Sequence, residues 1–173
     1  PGSKVYVLLV DEVDGYFDPS SERFQTVKLD ELELEGIDAF KFRYGVLELS
    51  TATKAFFLEY LLKKFQFGKI VYLDPDILVT DRFHAVSELL EKYSIVVTTH
   101  LTEPIDDDRR PSELDILLAG TYNLGFLAIA NTDLAKSFLH WWNRHLYREC
   151  VMQPMKGFHV DQKWVELALA FFE

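Results

Sequence analysis

The chain has 173 residues, with 28 acidic against 18 basic residues and a formal net charge of -10. This length and the 49% apolar content allow one buried core, so we expect a single domain over residues 1–173. The acidic balance repels nucleic acids and anionic membrane surfaces, and no basic cluster offsets it. We therefore expect no nucleic-acid partner, and an anionic substrate would need a divalent cation.

Cys150 is the single cysteine of the chain, so neither an internal disulfide nor a cysteine-rich zinc site can form. A lone thiol favours a reducing compartment, which predicts a cytoplasmic location. No apolar run approaches the roughly 20 residues that cross a bilayer. We therefore expect no membrane span.

Apolar runs alternate with amphipathic segments along the whole chain. Four strands are predicted, at 4–10, 70–73, 94–99 and 124–130. Five helices are predicted, at 50–65, 86–93, 112–119, 131–147 and 161–171. The first strand has the pattern of a central strand, and Ser50-Thr51 is the predicted cap of the first helix, which Gly68 ends. Asn131 or Thr132 is the predicted cap of the helix at 131–147. This alternation predicts an α/β fold with a mostly parallel or mixed central sheet and helices on both faces. We expect the strand at 70–73 to be central in this sheet, with Asp74 at its carboxyl edge.

An acidic pair, Asp74 and Asp76, follows the predicted strand at 70–73. In an open α/β sheet, ligands bind beyond the carboxyl ends of the strands. Side chains two residues apart on a strand share one face, and Pro75 stiffens the corner, so both carboxylates can contact one hard cation. The pair predicts a Mg²⁺ or Mn²⁺ site, and the alternative is an ordinary turn that ends the strand.

Other candidate binding residues lie at the starts and ends of predicted elements. Asn123 and Gly125 begin a strand, where an amide can bond hydroxyl groups and a small residue lets a sugar approach the backbone, although an ordinary turn has the same composition. Asp161 begins a helix and could serve as its N-cap. His100 lies at the sheet edge that carries the site, and His159 lies near Asp161; a structural or surface role is the alternative for both histidines.

Four segments, in this order along the chain, resemble GT-A glycosyltransferases, and in particular the retaining, family-8-like nucleotide-sugar transferases. They are Ser50–Lys54, Val71–Asp76, Tyr122–Phe126 and Gly157–Gln162. The resemblance implies the GT-A fold of nucleotide-diphospho-sugar transferases. It also implies a nucleoside diphosphate sugar donor, usually a uridine one, and an acceptor whose identity stays open.

By the same resemblance, Asp74 and Asp76 are the metal ligands, and Lys54 lies near the donor sugar or the diphosphate. A solvated helix lysine is the alternative for Lys54. The segments at 122–126 and 157–162 are expected to line the donor and acceptor pocket. Asp161 and Gln162 are the expected catalytic residues, with Asp161 accepting a hydroxyl proton or stabilising positive charge on the sugar.

The chain departs from the family pattern at both ends. Relatives begin with a further strand and helix ahead of the strand at 4–10, and they continue past the last helix with a segment that often supplies a third metal ligand. We therefore expect an incomplete domain with little sugar transfer. Unpaired strand edges would be covered by rearranged pairing, by flanking segments, or by a second copy of the chain in a homo-oligomer.

Two other functions stay open from the sequence. The same fold could be an inactive nucleotide-binding or interaction scaffold. A haloacid-dehalogenase-type phosphatase also has D-x-D at a strand end and a later Thr or Ser, a feature that Thr98-Thr99 could imitate. That class needs a nucleophilic Asp near the first core strand and a downstream acidic pair in a Gly-Asp context, which the segment at 157–161 does not supply.

Overall fold

A computed structural model describes residues 3–12, 15 and 17–172. Within them the strands are β1 (Tyr6–Leu9), β2 (Gln25–Lys28), β3 (Lys69–Leu73), β4 (Ile95–Thr99), β5 (Tyr122–Ala130), β6 (Met152–Gln153) and β7 (Phe158–His159). The helices are α1 (Ile37–Arg43), α2 (Val46–Ala52), α3 (Lys54–Phe65), α4 (His84–Leu89), α5 (Glu113–Ala119), α6 (Asp133–Glu149), α7 (Gln162–Val165) and α8 (Ala168–Phe171).

The main sheet has three strands in the order β3–β5–β4, and both pairings are antiparallel. The central strand is therefore β5, and the prediction that the strand at 70–73 is central was wrong. The strands β3 and β4 do run in the same direction, as a strand–helix–strand unit predicts, but β5 inserts between them in the opposite direction. The main sheet is therefore antiparallel in both of its pairings, so the prediction of a mostly parallel or mixed central sheet was wrong, whereas the α/β class is confirmed.

Helices cover both faces of this sheet. On one face, Leu127 and Ile129 of β5 pack into the main core with residues of α3 and α6, such as Leu58 and Trp142. On the other face, Ala128 and Ala130 pack against Leu90, which follows α4, and against Val86 within it. Successive residues in the second half of β5 thus alternate between two apolar environments, which explains why residues 126–130 are all apolar.

The strands β1 and β2 form a separate parallel pair that packs on α3 through Val27, Phe57 and Leu61. The prediction of a central strand buried on both faces at 4–10 was wrong, because all of β1 is only partly buried and Val5 is 56% exposed. Among the described residues, β1 pairs along one edge with β2. The sequence analysis missed β2, whose four residues include no continuous apolar run.

The predicted helix at 50–65 is two helices. The first, α2, ends at Ala52, and α3 begins at Lys54 after the buried residue Thr53. Ser50 lies inside α2, where its hydroxyl donates to the Val46 carbonyl, so the predicted Ser50-Thr51 cap was wrong. The helix α3 ends at Phe65, and its C-cap Gln66 adopts the left-handed conformation with φ of 52°, so the prediction that Gly68 ends this helix was wrong.

The remaining predicted helices are found with shifted boundaries. The segment at 161–171 contains two short helices, α7 and α8, in place of one. Of the two predicted caps, Thr132 is the one that caps α6, since its hydroxyl accepts from the Ala135 N–H at 3.2 Å. None of the helices in the described part of the chain combines the length and the apolar character needed to cross a membrane.

Candidate functional site

The acidic pair lies in a tight turn directly after β3. The Ile77 N–H donates to the Asp74 carbonyl at 3.1 Å, and Pro75 occupies the second position of this turn, which proline favours. Because β3 ends at Leu73, the alternation of side chains along a strand does not decide where the Asp76 side chain points. The prediction that strand geometry brings both carboxylates to one face was therefore wrong. The Asp74 side chain is 38% exposed, and Asp76 is exposed.

The strand β5 bulges beside this turn. Val97 of β4 pairs with Leu127, but the next residue, Thr98, pairs with Asn123, so residues 124–126 form a bulge on that side. On the opposite side, the Asp74 N–H donates to the Gly125 carbonyl at 2.8 Å. The bulge therefore holds the start of β5 against the acidic turn.

Gly125 leaves a small space between two oxygen atoms. Its N–H donates to Asn123 Oδ1 at 2.9 Å. A Cβ at Gly125 would lie 3.0 Å from Asn123 Oδ1 and 3.2 Å from Asp74 Oδ2. Carboxylate and amide oxygens are hard donors of the kind that Mg²⁺ and Mn²⁺ bind, so the donor set fits such a cation.

Lys54 lies behind Asp74 in the core. Its Nζ is 2.7 Å from Asp161 Oδ2, 3.7 Å from Asp74 Oδ1 and 2.8 Å from the Leu124 carbonyl, to which it donates. The same Nζ lies 4.5 Å from the centre of the Tyr72 ring, within the range of a cation–π contact. Lys54 is 3% exposed, so it is a buried cation between two carboxylates and not a solvated helix lysine.

Asp161 is the buried partner of this cation, with 2% of its surface exposed. Burial raises the pKa of Asp161, and the positive charge of Lys54 opposes that rise. The Trp142 Nε1–H donates to the Asp161 carbonyl at 3.1 Å and so fixes the backbone here. Asp161 occupies the N-cap position of α7, but no side-chain cap bond is found there among the described residues. Its carboxylate is oriented towards Lys54.

Gln162 and His100 both bond the segment that precedes β5. The Gln162 side-chain amide donates to the Ala119 carbonyl at 2.8 Å. The His100 N–H donates to the Thr121 carbonyl at 2.9 Å, and its Nδ1 lies 3.3 Å from the same oxygen. Neither residue is among the described polar contacts of Asp74. These bonds support a structural role at the sheet edge.

His159 lies near the same edge and is partly buried. Burial lowers the pKa of His159. The ring is therefore neutral near pH 7, and its buried Nδ1 has no partner among the described residues.

Tyr72 contacts the acidic turn, although the sequence analysis did not select it. Its hydroxyl donates to Asp74 Oδ1 at 2.7 Å. Burial raises the pKa of Tyr72, and the hydrogen bond to Asp74 raises it further, so the hydroxyl stays protonated. The spacing of Tyr72 and Asp74 in the sequence could have identified Tyr72, because residues two apart at the end of a strand have their side chains on the same side.

Replacing Lys54 by methionine should destabilise the fold strongly. The change keeps much of the side-chain volume but leaves Asp161 as an unpaired buried carboxylate. We expect a loss of about 3–5 kcal/mol in the free energy of unfolding, measured by urea denaturation. The double variant Lys54→Met/Asp161→Leu should recover part of this loss, because it removes both buried charges.

The matched control is Lys63→Met on the same helix. The Lys63 side chain is 75% exposed and pairs with Glu59 at 2.9 Å. An exposed pair of this kind contributes only about 0–1 kcal/mol. Equal losses for Lys54→Met and Lys63→Met would show that the buried pair has no special importance for stability.

No protein-family model, no curated protein and no solved structure matches this chain. The functional assignment therefore rests on the residues of the acidic turn, the β5 bulge and the buried ion pair.

Proposed function

We propose that Asp74 and Asp76 bind a divalent cation, Mn²⁺ or Mg²⁺, that holds the diphosphate of a nucleoside diphosphate sugar. On this proposal the chain is a GT-A-type glycosyltransferase domain, with a uridine diphosphate sugar as the expected donor. The observation that carries the proposal is the space at Gly125, where Asp74 Oδ2 and Asn123 Oδ1 approach the same point. Gly125 itself is buried, whereas Asp76 of the adjoining turn is exposed, so a large ligand would reach the carboxylates from the side of the turn.

A cation at this site would be shared between the protein and its ligand. In residues 3–12, 15 and 17–172, no three His, Cys, Asp or Glu side chains form a group that could hold a metal ion. Two carboxylates leave most of an octahedral shell to phosphate oxygens and water. We therefore expect the cation to bind weakly alone and more tightly together with a nucleoside diphosphate.

The chain's own residues would orient the donor. A bound divalent cation stabilises the negative charge that develops on the departing diphosphate. The side-chain NH2 group of Asn123, an exposed residue, can donate to a sugar hydroxyl group. The positive charge of Lys54, on the core side of Asp74, reduces the electrostatic repulsion between the carboxylates of the site. We assign Asp161 a positioning role, because it is buried against Lys54.

Replacing Asp76 by alanine should abolish the coupling between metal and nucleotide. We expect Mn²⁺ to increase the affinity of the unchanged chain for UDP. In Asp76→Ala the affinity should fall to the value measured without Mn²⁺, since one of the two carboxylate ligands is lost. Calorimetric titration of UDP with and without Mn²⁺ measures the difference.

The control for this test is Asp81→Ala. Asp81 is an exposed carboxylate in the same loop, and it bonds the backbone of Arg82. Asp81→Ala should keep the Mn²⁺ enhancement. If the enhancement survives in Asp76→Ala as well, the acidic pair is not the ligand set.

Replacing Gly125 by alanine should weaken metal-dependent UDP binding by about tenfold, because the new methyl group displaces Asp74 or Asn123 by a few tenths of an ångström. Gly68→Ala is the control, since a Cβ there meets no atom within 4 Å. The unfolding free energy of Gly125→Ala should fall by only about 1–3 kcal/mol. Unchanged UDP binding in Gly125→Ala would contradict the placement of the ligand at this space.

A binding scaffold without turnover is the second candidate, and the burial of Asp161 favours it. Neither Asp161 nor Gln162, which the resemblance implies as catalytic, is free of protein partners. On this candidate, UDP and Mn²⁺ bind together, but UDP-glucose and UDP-galactose are not hydrolysed. A donor-hydrolysis assay separates the two candidates, and Mn²⁺-dependent release of UDP that Asp74→Asn abolishes would exclude the scaffold.

A further inference from the structure

The two carboxylate oxygens of Asp74 have different surroundings. Oδ1 accepts a hydrogen bond from the Tyr72 hydroxyl at 2.7 Å, and Lys54 Nζ lies 3.7 Å away from it. Oδ2 lies instead 3.2 Å from the position that a Cβ at Gly125 would occupy, and the Asp74 side chain as a whole is 38% exposed. One oxygen is therefore bonded within the protein, and the other faces the space where we propose that the cation binds.

The backbone of Asp74 is also fixed. Its N–H donates to the Gly125 carbonyl at 2.8 Å, and its carbonyl accepts from the Ile77 N–H at 3.1 Å. Tyr72 itself packs against the main core and contacts the Lys54 ammonium through its ring. The carboxylate can thus change its orientation chiefly by rotating its side chain, and the Tyr72 hydroxyl opposes that rotation.

We infer that Tyr72 makes Asp74 a one-oxygen metal ligand and thereby sets the preference of the site for Mn²⁺ or Mg²⁺ over Ca²⁺. This inference rests on the proposed function, because it requires a cation at Asp74. Mg²⁺ demands a near-ideal octahedral shell, and one-oxygen carboxylate ligands suit such a shell. Ca²⁺ takes 6–8 oxygens in flexible geometry and commonly binds both oxygens of a carboxylate. A carboxylate with one oxygen engaged by Tyr72 is a poorer ligand for Ca²⁺.

Lys54 contributes less than Tyr72 to this restraint. At 3.7 Å its ammonium is beyond hydrogen-bond distance from Asp74 Oδ1, and its shorter contact is with Asp161. Removal of the Tyr72 hydroxyl should therefore free Oδ1 while the buried ion pair stays in place. Tyr72 acts through Asp74, so it is a positioning residue.

The test is Tyr72→Phe, which removes the hydroxyl and keeps the ring. Calorimetry gives the affinities for Mn²⁺ and for Ca²⁺, each with UDP present. We expect the ratio of Mn²⁺ affinity to Ca²⁺ affinity to fall by about tenfold, which is the size expected for a hydrogen bond to a charged group. The matched control is Tyr60→Phe, because the Tyr60 hydroxyl bonds the Glu31 carboxylate at 3.2 Å on another part of the surface. The ratio should not change in Tyr60→Phe.

Infrared spectroscopy of the Ca²⁺-loaded chain gives a second readout, taken as the difference between the unchanged chain and Tyr72→Phe. The separation of the two carboxylate stretching bands distinguishes one-oxygen from two-oxygen binding, with ¹³C-labelled aspartate to identify the bands. We expect one-oxygen binding in the unchanged chain and a two-oxygen signal in Tyr72→Phe. A change in fold stability alone would not produce that signal.

Three results would overturn the inference, and they are distinguishable. An unchanged Mn²⁺ to Ca²⁺ ratio in Tyr72→Phe overturns it while the proposed function stands. A two-oxygen Ca²⁺ signal from Asp74 in the unchanged chain does the same. If the unchanged chain binds neither cation in the presence of UDP, the proposed function and the inference fail together.

Discussion

The buried ammonium group of Lys54 is the interaction on which the arrangement of the site depends. Lys54 is the first residue of α3, and the three polar partners of its ammonium group come from three other parts of the chain. They are Asp161 before α7, the Leu124 carbonyl in the β5 bulge, and Asp74 after β3. A buried charge is costly unless it is paired and hydrogen-bonded. The positions of these segments are therefore coupled, because moving any one of them leaves the cation or a carboxylate without its partner.

The same charge balance leaves an excess of negative charge at this end of the sheet, which supports the proposed divalent cation. When ionised, Asp74, Asp76 and Asp161 carry three negative charges, and Lys54 carries one positive charge, so two negative charges remain. Asp161 and Lys54 are buried, whereas Asp76 and part of Asp74 are exposed. The excess negative charge thus lies on the solvent side, where a cation and an anionic ligand can reach it. The buried pair supports the site from the core side.

The β5 bulge connects this charge network with the architecture of the sheet. In a regular ladder, the residues opposite Thr98 and Val97 would be neighbours, but three residues separate Asn123 from Leu127. The extra residues direct the Leu124 carbonyl to Lys54 and the Gly125 carbonyl to Asp74. Bulges often reorient side chains beside functional sites. Here the bulge lets one strand serve both as the centre of the sheet and as one wall of the proposed binding site.

The sequence by itself determined the local features of this protein. The apolar run that ends at Leu73, the proline turn with its acidic pair and the Thr132 cap of α6 follow from side-chain periodicity and backbone preferences, which act over a few residues. Only the tertiary structure decided that β5 is the central strand, that β1 pairs with β2, and that Lys54 pairs with Asp161. Strand order and the pairing of a buried charge depend on which distant segments meet, and a local pattern contains no information about that. The helical stripe of α3 therefore predicted a helix correctly but could not show that its first residue is the buried cation that holds the site together.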